Sequence, residues 1–381
     1  MIEKKLYDDL VTIRHYLHSC PELSEKEYET TKYLSEKLTS WGIEILRSDL
    51  KTGLVGVIGS GNPVIALRAD IDGLPVSERT NLSFASKNTG VMHACGHDLH
   101  MASLLGAAKV LKDHEAKLHG TVKLIFQPSE EHGTGANMVL QAGLVNDVQA
   151  FIGFHNIPSL GTGVIGLRDA GVMAAVEQFY VTIEGLGSHA AYPHEGVDPI
   201  LAMSAIIHSL QQVVSRNVSP LKAAVLSVTH VQSGNTWNVL PSSAIFEGTL
   251  RTFDDEVREL TKSRFIEIVE GTAEAYGVRV KINWLMGTNL TYNDPELTQV
   301  VTVATKKWTR EVVLPDPSSA GEDFSNYRIQ APSVFAFIGS NEAGSPGLHS
   351  DELIVQDASL SVAVQYYVHS AYALIDYFSK K

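Results

Sequence analysis

The chain has 381 residues, enough for two or three domains of 100–200 residues, and its 44% hydrophobic and 19% charged residues suit an ordered protein with a substantial core. Lys and Arg number 30 against 43 Asp and Glu, a net charge of −13 with no basic run, so nucleic acid is not an expected partner. No apolar stretch reaches the ~18 residues of a bilayer span, the Met1–Asp9 segment lacks the apolar stretch of a signal peptide, and Cys20 and Cys95 are too few for a disulfide scaffold. A cytoplasmic protein with no membrane partner is expected.

Leu6, Leu10, Ile13 and Leu17 recur at helical spacing, as do Leu34, Leu38 and Trp41 before Gly42. Leu54–Ile58, Val64–Leu67, Thr121–Phe126 and Ala150–Phe154 are short apolar runs suited to buried strands, and Met101–Lys112 reads as a helix between them. Strands separated by helices predict an α/β fold with a mostly parallel sheet covered on both faces, and ligand sites collect at the strand ends of such sheets. From Glu177 the pattern changes to strand Glu177–Glu184, helix Pro199–Val214, strands Ala224–Val231 and Ala244–Arg251, helix Asp255–Tyr276 and strand Val278–Trp284. That is the βαββαβ order of a ferredoxin-like unit. Inserted over 177–287, it needs two crossings, for which Gly171 and Gly287 are suitably placed. Helices over Leu297–Trp308 and Asp357–Phe378 around a strand at Ser333–Ile338 then complete the first domain. The expected division is a discontinuous domain, 1–176 and 288–381, with the inserted α+β domain at 177–287.

The densest polar cluster is Met92-His93-Ala94-Cys95-Gly96-His97-Asp98-Leu99-His100, between a loop and a helix. Thiolate and imidazole suit divalent transition metals, and Cys95-x-His97 lets both side chains point one way from an extended segment. Taken alone, Cys95 reads equally well as a buried small hydrophobe and the histidines as satisfied loop residues; three histidines and an acid packed together favour metal. At the end of an apolar strand, Gln127-Pro128-Ser129-Glu130-Glu131 puts adjacent carboxylates on opposite sides, so one can bind metal while the other moves a proton. His155 follows the apolar run Ala150–Phe154.

These segments, together with Arg68-Ala69-Asp70-Ile71-Asp72-Gly73-Leu74-Pro75, Gly187-Ser188-His189-Ala190-Ala191, Asn238-Val239-Leu240-Pro241, Gly248–Phe253, Gly321-Glu322-Asp323-Phe324 and Leu348-His349-Ser350, run in one order along nearly the whole chain. In them the chain resembles the dinuclear metallo-aminoacylase family, within it the aminoacylase, hippurate hydrolase and auxin-conjugate hydrolase subgroup, whose relatives include glutamate carboxypeptidase and dipeptidases. The resemblance implies a catalytic domain of the zinc-exopeptidase type, an inserted lid and dimerisation domain, and a homodimer through it. It implies two divalent cations held by Cys95, His97, Glu131, His155 and His349, with Cys95 in the bridging place that most relatives give to an aspartate. Glu130 matches the general base and Asp70 the aspartate behind the ligands; Arg68 stands where many relatives keep a histidine ligand, whose duty passes to His97. His189 matches the histidine that stabilises the oxyanion.

The expected reaction is hydrolysis of an N-acyl amino acid or small dipeptide to a carboxylic acid and a free amino acid. Arg251 can grip a carboxylate with two parallel hydrogen bonds, which suits a free α-carboxylate, and Asn238 offers another. Ligand softness favours zinc, whereas the resembled subgroup often works with manganese or cobalt; manganese is the expected ion. Two other readings stand beside this one. A thiol hydrolase with Cys95 as nucleophile and His97 as base leaves Glu131, His155 and His349 without work, and a non-catalytic binding protein on the same fold sits poorly with a full ligand set beside Glu130.

Overall fold

The computed structural model describes residues 2–381, with Met286 described by its backbone alone. In chain order the main elements are helix α1 (Lys4–Ser19), α2 (Tyr28–Ser40), strands β1 (Glu44–Ile45), β2 (Leu54–Gly59) and β3 (Val64–Asp70), α3 (His97–Asp113), β4 (Thr121–Gln127), α4 (Gly135–Gln141), β5 (Ala150–Gly161) and β6 (Ile165–Gly166). There follow β7 (Ala175–Glu184), α5 (Pro199–Gln212), β8 (Ala224–Ser233), β9 (Ser243–Thr252), α6 (Asp255–Tyr276) and β10 (Arg279–Thr288), then α7 (Pro295–Thr305), β11 (Val312–Val313), β12 (Ser333–Asn341) and α8 (Ser359–Phe378). Among the described residues no helix is long and apolar enough to cross a membrane. The chain forms two compact units, one of 1–172, 292–316 and 323–381 and the other of 173–291 and 317–322.

The first unit is built on an eight-stranded sheet of order β1-β2-β4-β3-β5-β12-β6-β11. The central neighbours β4, β3, β5 and β12 run parallel, and the expected α/β architecture with a mostly parallel centre is present. Every residue of β3 and β4 is buried, the pattern of a sheet covered on both faces. β5 continues to Gly161, past the apolar run that marks its start. Helix α3 is buried nearly all round, through Leu99, Met101, Leu104, Leu105 and Ala108, and packs on α1 and α8. Gly106 makes that approach possible: a Cβ there would lie 2.5 Å from Val364 and 2.6 Å from Leu10. Asp70 pairs with Gln127 at the carboxyl ends of β3 and β4, so the segments after both strands emerge side by side, where sites form in sheets of this kind.

The second unit has a four-stranded sheet of order β8-β9-β7-β10, antiparallel throughout. With α5 and α6 this is the ferredoxin-like arrangement that the βαββαβ order predicts. Phe179, Phe246, Phe265, Val269 and Ile206 fill its core. Its helices carry clear end signals: Asp198 accepts from the amides of Ile200 and Leu201 before α5, Asp254 from that of Val257 before α6, and Gly277 takes the left-handed conformation after α6. Pro317–Glu322 packs with this unit, where the Ala174 amide donates to the carbonyls of Ser318 and Ala320.

Candidate metal centre

Cys95 and His97 flank a glycine whose conformation shapes the site. Gly96 has φ 86°, and a Cβ at this position would lie 2.5 Å from Asn156 Oδ1, so only glycine lets the chain turn there from the Cys95 loop into α3. His97 opens the helix, and its Nδ1–H donates to the carbonyl oxygen of Asp72 at 2.9 Å with Asp72 Oδ1 3.3 Å away. His155 Nδ1–H donates to the Asn156 carbonyl at 2.8 Å. Both rings therefore present Nε2 to the site, the orientation that bonds from the second ring nitrogen impose on metal-binding histidines.

Cys95 Sγ lies 3.3 Å from His155 Nε2 and 3.4 Å from His349 Nε2. Glu131 reaches in from the loop after β4, with Oε2 3.5 Å from His349 Nε2 and Oε1 3.9 Å from His97 Nε2. His349 is held in a left-handed conformation, φ 66°, by its amide's bond to the Ala94 carbonyl at 2.7 Å; strain of this kind persists where the surroundings demand it. Cys95, His97 and His155 form one group of potential ligand atoms and Cys95, Glu131 and His349 another, each group within 4.8 Å, with Cys95 common to both. Glu130 joins His97 and Glu131 in a third such group.

The donor set fits a cation. His97 Nε2 and Glu131 Oε1 are buried and, among the described residues, have no hydrogen-bond partner, a costly state for polar atoms that a cation would relieve. Negative charge is in excess. Burial pushes the His97 pKa down, but the carboxylates of Asp70, Asp72 and Glu131 outweigh it and lift the value to about 10. Burial raises Glu131 to about 7, helped by Asp72 and Asp70 and opposed by His97. Burial, with Glu131, Glu130 and Asp70 nearby, holds the Cys95 thiol well above its ordinary range. His155 is pushed down to about 3, by burial first and then by His100 and His97. A divalent cation would stand where protons otherwise hold these charges together.

Asp70 lies 3.6 Å from His97 Nε2. It also accepts from Arg68 Nη1 at 2.7 Å and His100 Nδ1 at 2.6 Å. Arg68 further donates to Gln127 at 2.8 Å and Asp323 at 2.9 Å. His100 has no nitrogen to spare for a metal, because its Nε2 accepts the Asn156 amide at 3.1 Å. Motif reading passes over Asp72, which the structure puts behind two candidate ligands: beside His97, it accepts the Glu131 amide at 3.0 Å and Ser24 Oγ at 2.7 Å. Its signal is a second aspartate two residues after the first, on the same face of an extended segment. Also missed is the buried group behind His97, where Asp98 accepts from Arg14 Nε at 3.0 Å and His18 Nδ1 at 3.1 Å.

In the second unit His189 and Asn238 come together on a two-stranded ribbon, with His189 opposite Val239 and the Ala190 amide bonded to the Asn238 carbonyl at 3.1 Å. His189 Nδ1 accepts the Ala191 amide at 3.0 Å, which leaves its ring proton on Nε2. Arg251 stands near the end of β9 and donates through Nη1 to the Ser319 carbonyl at 2.6 Å.

A buried thiol, imidazoles and carboxylates gathered beside the carboxyl ends of β3 and β4, with His155 inside β5 rather than at its end, form a candidate metal centre in an α/β fold. The model of peptidase family M20/M25/M40 matches residues 66–373. The chain is 44% identical over 373 residues to an N-acetyl-L-cysteine deacetylase of Bacillus subtilis, covering 97% of this chain and 89% of that protein. It is 35% identical to a hippurate hydrolase of Campylobacter jejuni, covering 96% of each. Its fold matches the crystal structure of the Bacillus subtilis YxeP protein, described as a dinuclear metal binding peptidase from the M20 family, with a TM-score of 0.88, 39% identity and coverage of 98% and 99%. The chain belongs to peptidase family M20/M25/M40.

Proposed function

We propose that this protein is a metal-dependent amidohydrolase that cleaves N-acyl amino acids to a carboxylic acid and a free amino acid, with Glu130 as general base. The observation that carries the reading is the pair of ligand groups sharing Cys95, with Glu130 beside the ligands His97 and Glu131. The activities named for the deacetylase and the hippurate hydrolase support the substrate class. Cys95, His97, Glu131, His155 and His349 would hold two divalent cations, manganese favoured over zinc or cobalt. When bound, such ions polarise a carbonyl and lower the pKa of a water towards neutrality.

Glu130 takes the proton of the attacking water and returns it to the leaving amine nitrogen. The Asp323 amide lies 3.5 Å from Glu130 Oε1 and restrains the carboxylate. Asp72 orients His97 from the Nδ1 side, and Asp70, bonded to Arg68 and His100, places its negative charge near the metal-facing Nε2. His189 would donate to the oxyanion through its Nε2 proton, and Arg251 with Asn238 would grip the substrate carboxylate. The second unit serves as lid and as the interface of a homodimer working in the cytoplasm. The edge strand β8 supports the dimer: among the described residues it has a sheet neighbour on one side only, and its exposed Val225 and Val231 suit a second copy.

Metal-stripped protein should regain hydrolysis of acetyl- and benzoyl-amino acids on adding manganese, more than with zinc or cobalt. Turnover that survives chelation would favour the thiol reading, and no turnover with any of the ions would favour a binding protein.

A further inference from the structure

We propose that Glu27 is a positioning residue for the reaction, pinning through the main chain the loop that aims Glu130; the inference rests on Glu130 being the general base. Glu27 precedes α2, is 0% exposed, and accepts the Ser129 amide through Oε1 at 2.8 Å. Ser129 has φ 57°, a left-handed conformation that is unfavourable for a non-glycine residue and persists only where its surroundings hold it. Two residues on, Asp72 accepts the Glu131 amide at 3.0 Å. The amides on either side of Glu130 are thus each bonded to a buried carboxylate from a different part of the chain. Pro128, just before the pinned amide, is closely packed: a Cβ on Gly135 would lie 1.6 Å from its carbonyl oxygen, and one on Gly53 2.5 Å from its Cδ.

Helix capping does not account for Glu27. Its side chain makes no capping bond to α2, and its buried Oε2 has no hydrogen-bond partner among the described residues. Burying a carboxyl with one oxygen unpaired is unfavourable, and its bond to Ser129 goes to the loop that bears Glu130. Without that bond Ser129 can relax out of the left-handed region and swing Glu130, while Asp72 still holds Glu131. Turnover should therefore fall while metal stays bound. A displacement of ~1 Å in a reacting group costs on the order of 10²-fold.

The test compares manganese-loaded wild type, Glu27→Ala, Glu27→Gln, Glu27→Asp and Glu130→Gln. It reads kcat and KM on an N-acetyl amino acid, metal content by elemental analysis, and hydrogen exchange of a peptide spanning residues 126–133. Glu27→Ala should lower kcat about 10–100-fold, with KM and metal content within about twofold of wild type and faster exchange in the peptide. Glu27→Gln keeps an acceptor oxygen and should hold kcat within about fivefold of wild type and exchange near the wild-type rate. If Glu27→Ala does not fold, Glu27→Asp decides: it draws the acceptor back by one methylene and should lower kcat at least about fivefold with metal retained. Wild-type kcat in the deciding variant, metal loss in proportion to kcat, or Glu27→Gln falling as far as Glu27→Ala overturns the proposal. Wild-type turnover in Glu130→Gln would instead overturn the general-base reading itself.

Discussion

Replacing Asp72 by Asn tests whether the carboxylate behind His97 prepares that ring for a metal. Asp72 is 1% exposed and serves Ser24 Oγ, the Glu131 amide and the His97 ring. Burial pushes its carboxyl up, but bonds from His97, Ser24 and the Glu131 amide outweigh it and hold the group below its ordinary range. Asparagine keeps one acceptor oxygen, which can still serve Ser24 and Glu131. Its amide NH2 then faces the His97 Nδ1–H from the place where Oδ1 stood 3.3 Å away, so two donors meet. That contact works against the Nδ1–H bond to the Asp72 carbonyl, which the variant keeps, and loosens the ring orientation that presents Nε2 to the metal. Loss of such an orienting partner weakens metal binding about 10–100-fold, which at ~1.4 kcal/mol per tenfold is about 1.4–2.8 kcal/mol. Titration of the apoprotein with manganese against a fluorescent chelator measures it, with circular dichroism to verify the fold. A folded Asp72→Asn protein that binds manganese within twofold of wild type would refute the reasoning.

Glu130→Gln should cut turnover roughly 10²–10⁴-fold with metal retained, whereas Glu131→Gln should lose metal first; equal metal loss in both would remove the division between base and ligand. His189→Ala should lower kcat more than it changes KM, because the oxyanion exists only near the transition state; a change confined to KM would contradict that role. For His18, burial pushes the pKa down, but Asp98 and Glu78 outweigh it and raise it to about 9. A raised histidine stabilises the fold fully below its unfolded pKa of about 6.5 and stops doing so as pH rises through about 9, a gap worth about 3 kcal/mol. Urea unfolding of the apoprotein at pH 6 and pH 10 should show a loss about 3 kcal/mol larger in wild type than in His18→Gln, which keeps the contribution of His97; equal losses in the two would contradict the assignment.

What is legible in the sequence follows from the physics of each element. Strands β3 and β4 are buried on both faces, so they read as apolar runs, Val64–Leu67 unbroken and Val122–Phe126 interrupted only by Lys123. The second unit stands out because its alternating strands and capped helices repeat one order. Strands β6, β11 and β1 have two residues each and carry no period to read. α4, with seven residues, is too short to carry a helical stripe either. Within the site, Cys95, His97, Glu130, Glu131, His155 and His349 belong to residue types that announce metal or proton chemistry. Their supports do not. Glu27 looks like any solvated glutamate until the fold buries it against Ser129. Arg14 and Asp98 lie 84 residues apart and meet only through the packing of α1 on α3. Asp72 is a plain aspartate until His97 and Glu131 converge on it.

The amidohydrolase reading stands or falls on Cys95 as the ligand shared by two cations. Its most direct test is the metal content per chain of manganese-loaded wild type, Cys95→Ala and Cys95→Asp, measured on the same preparations as turnover of an N-acetyl amino acid. Wild type should hold about two equivalents. Cys95→Ala should fall below about one and lose turnover, and Cys95→Asp should regain metal and part of the turnover through a carboxylate bridge. A Cys95→Ala protein that keeps the wild-type metal content would contradict the claim.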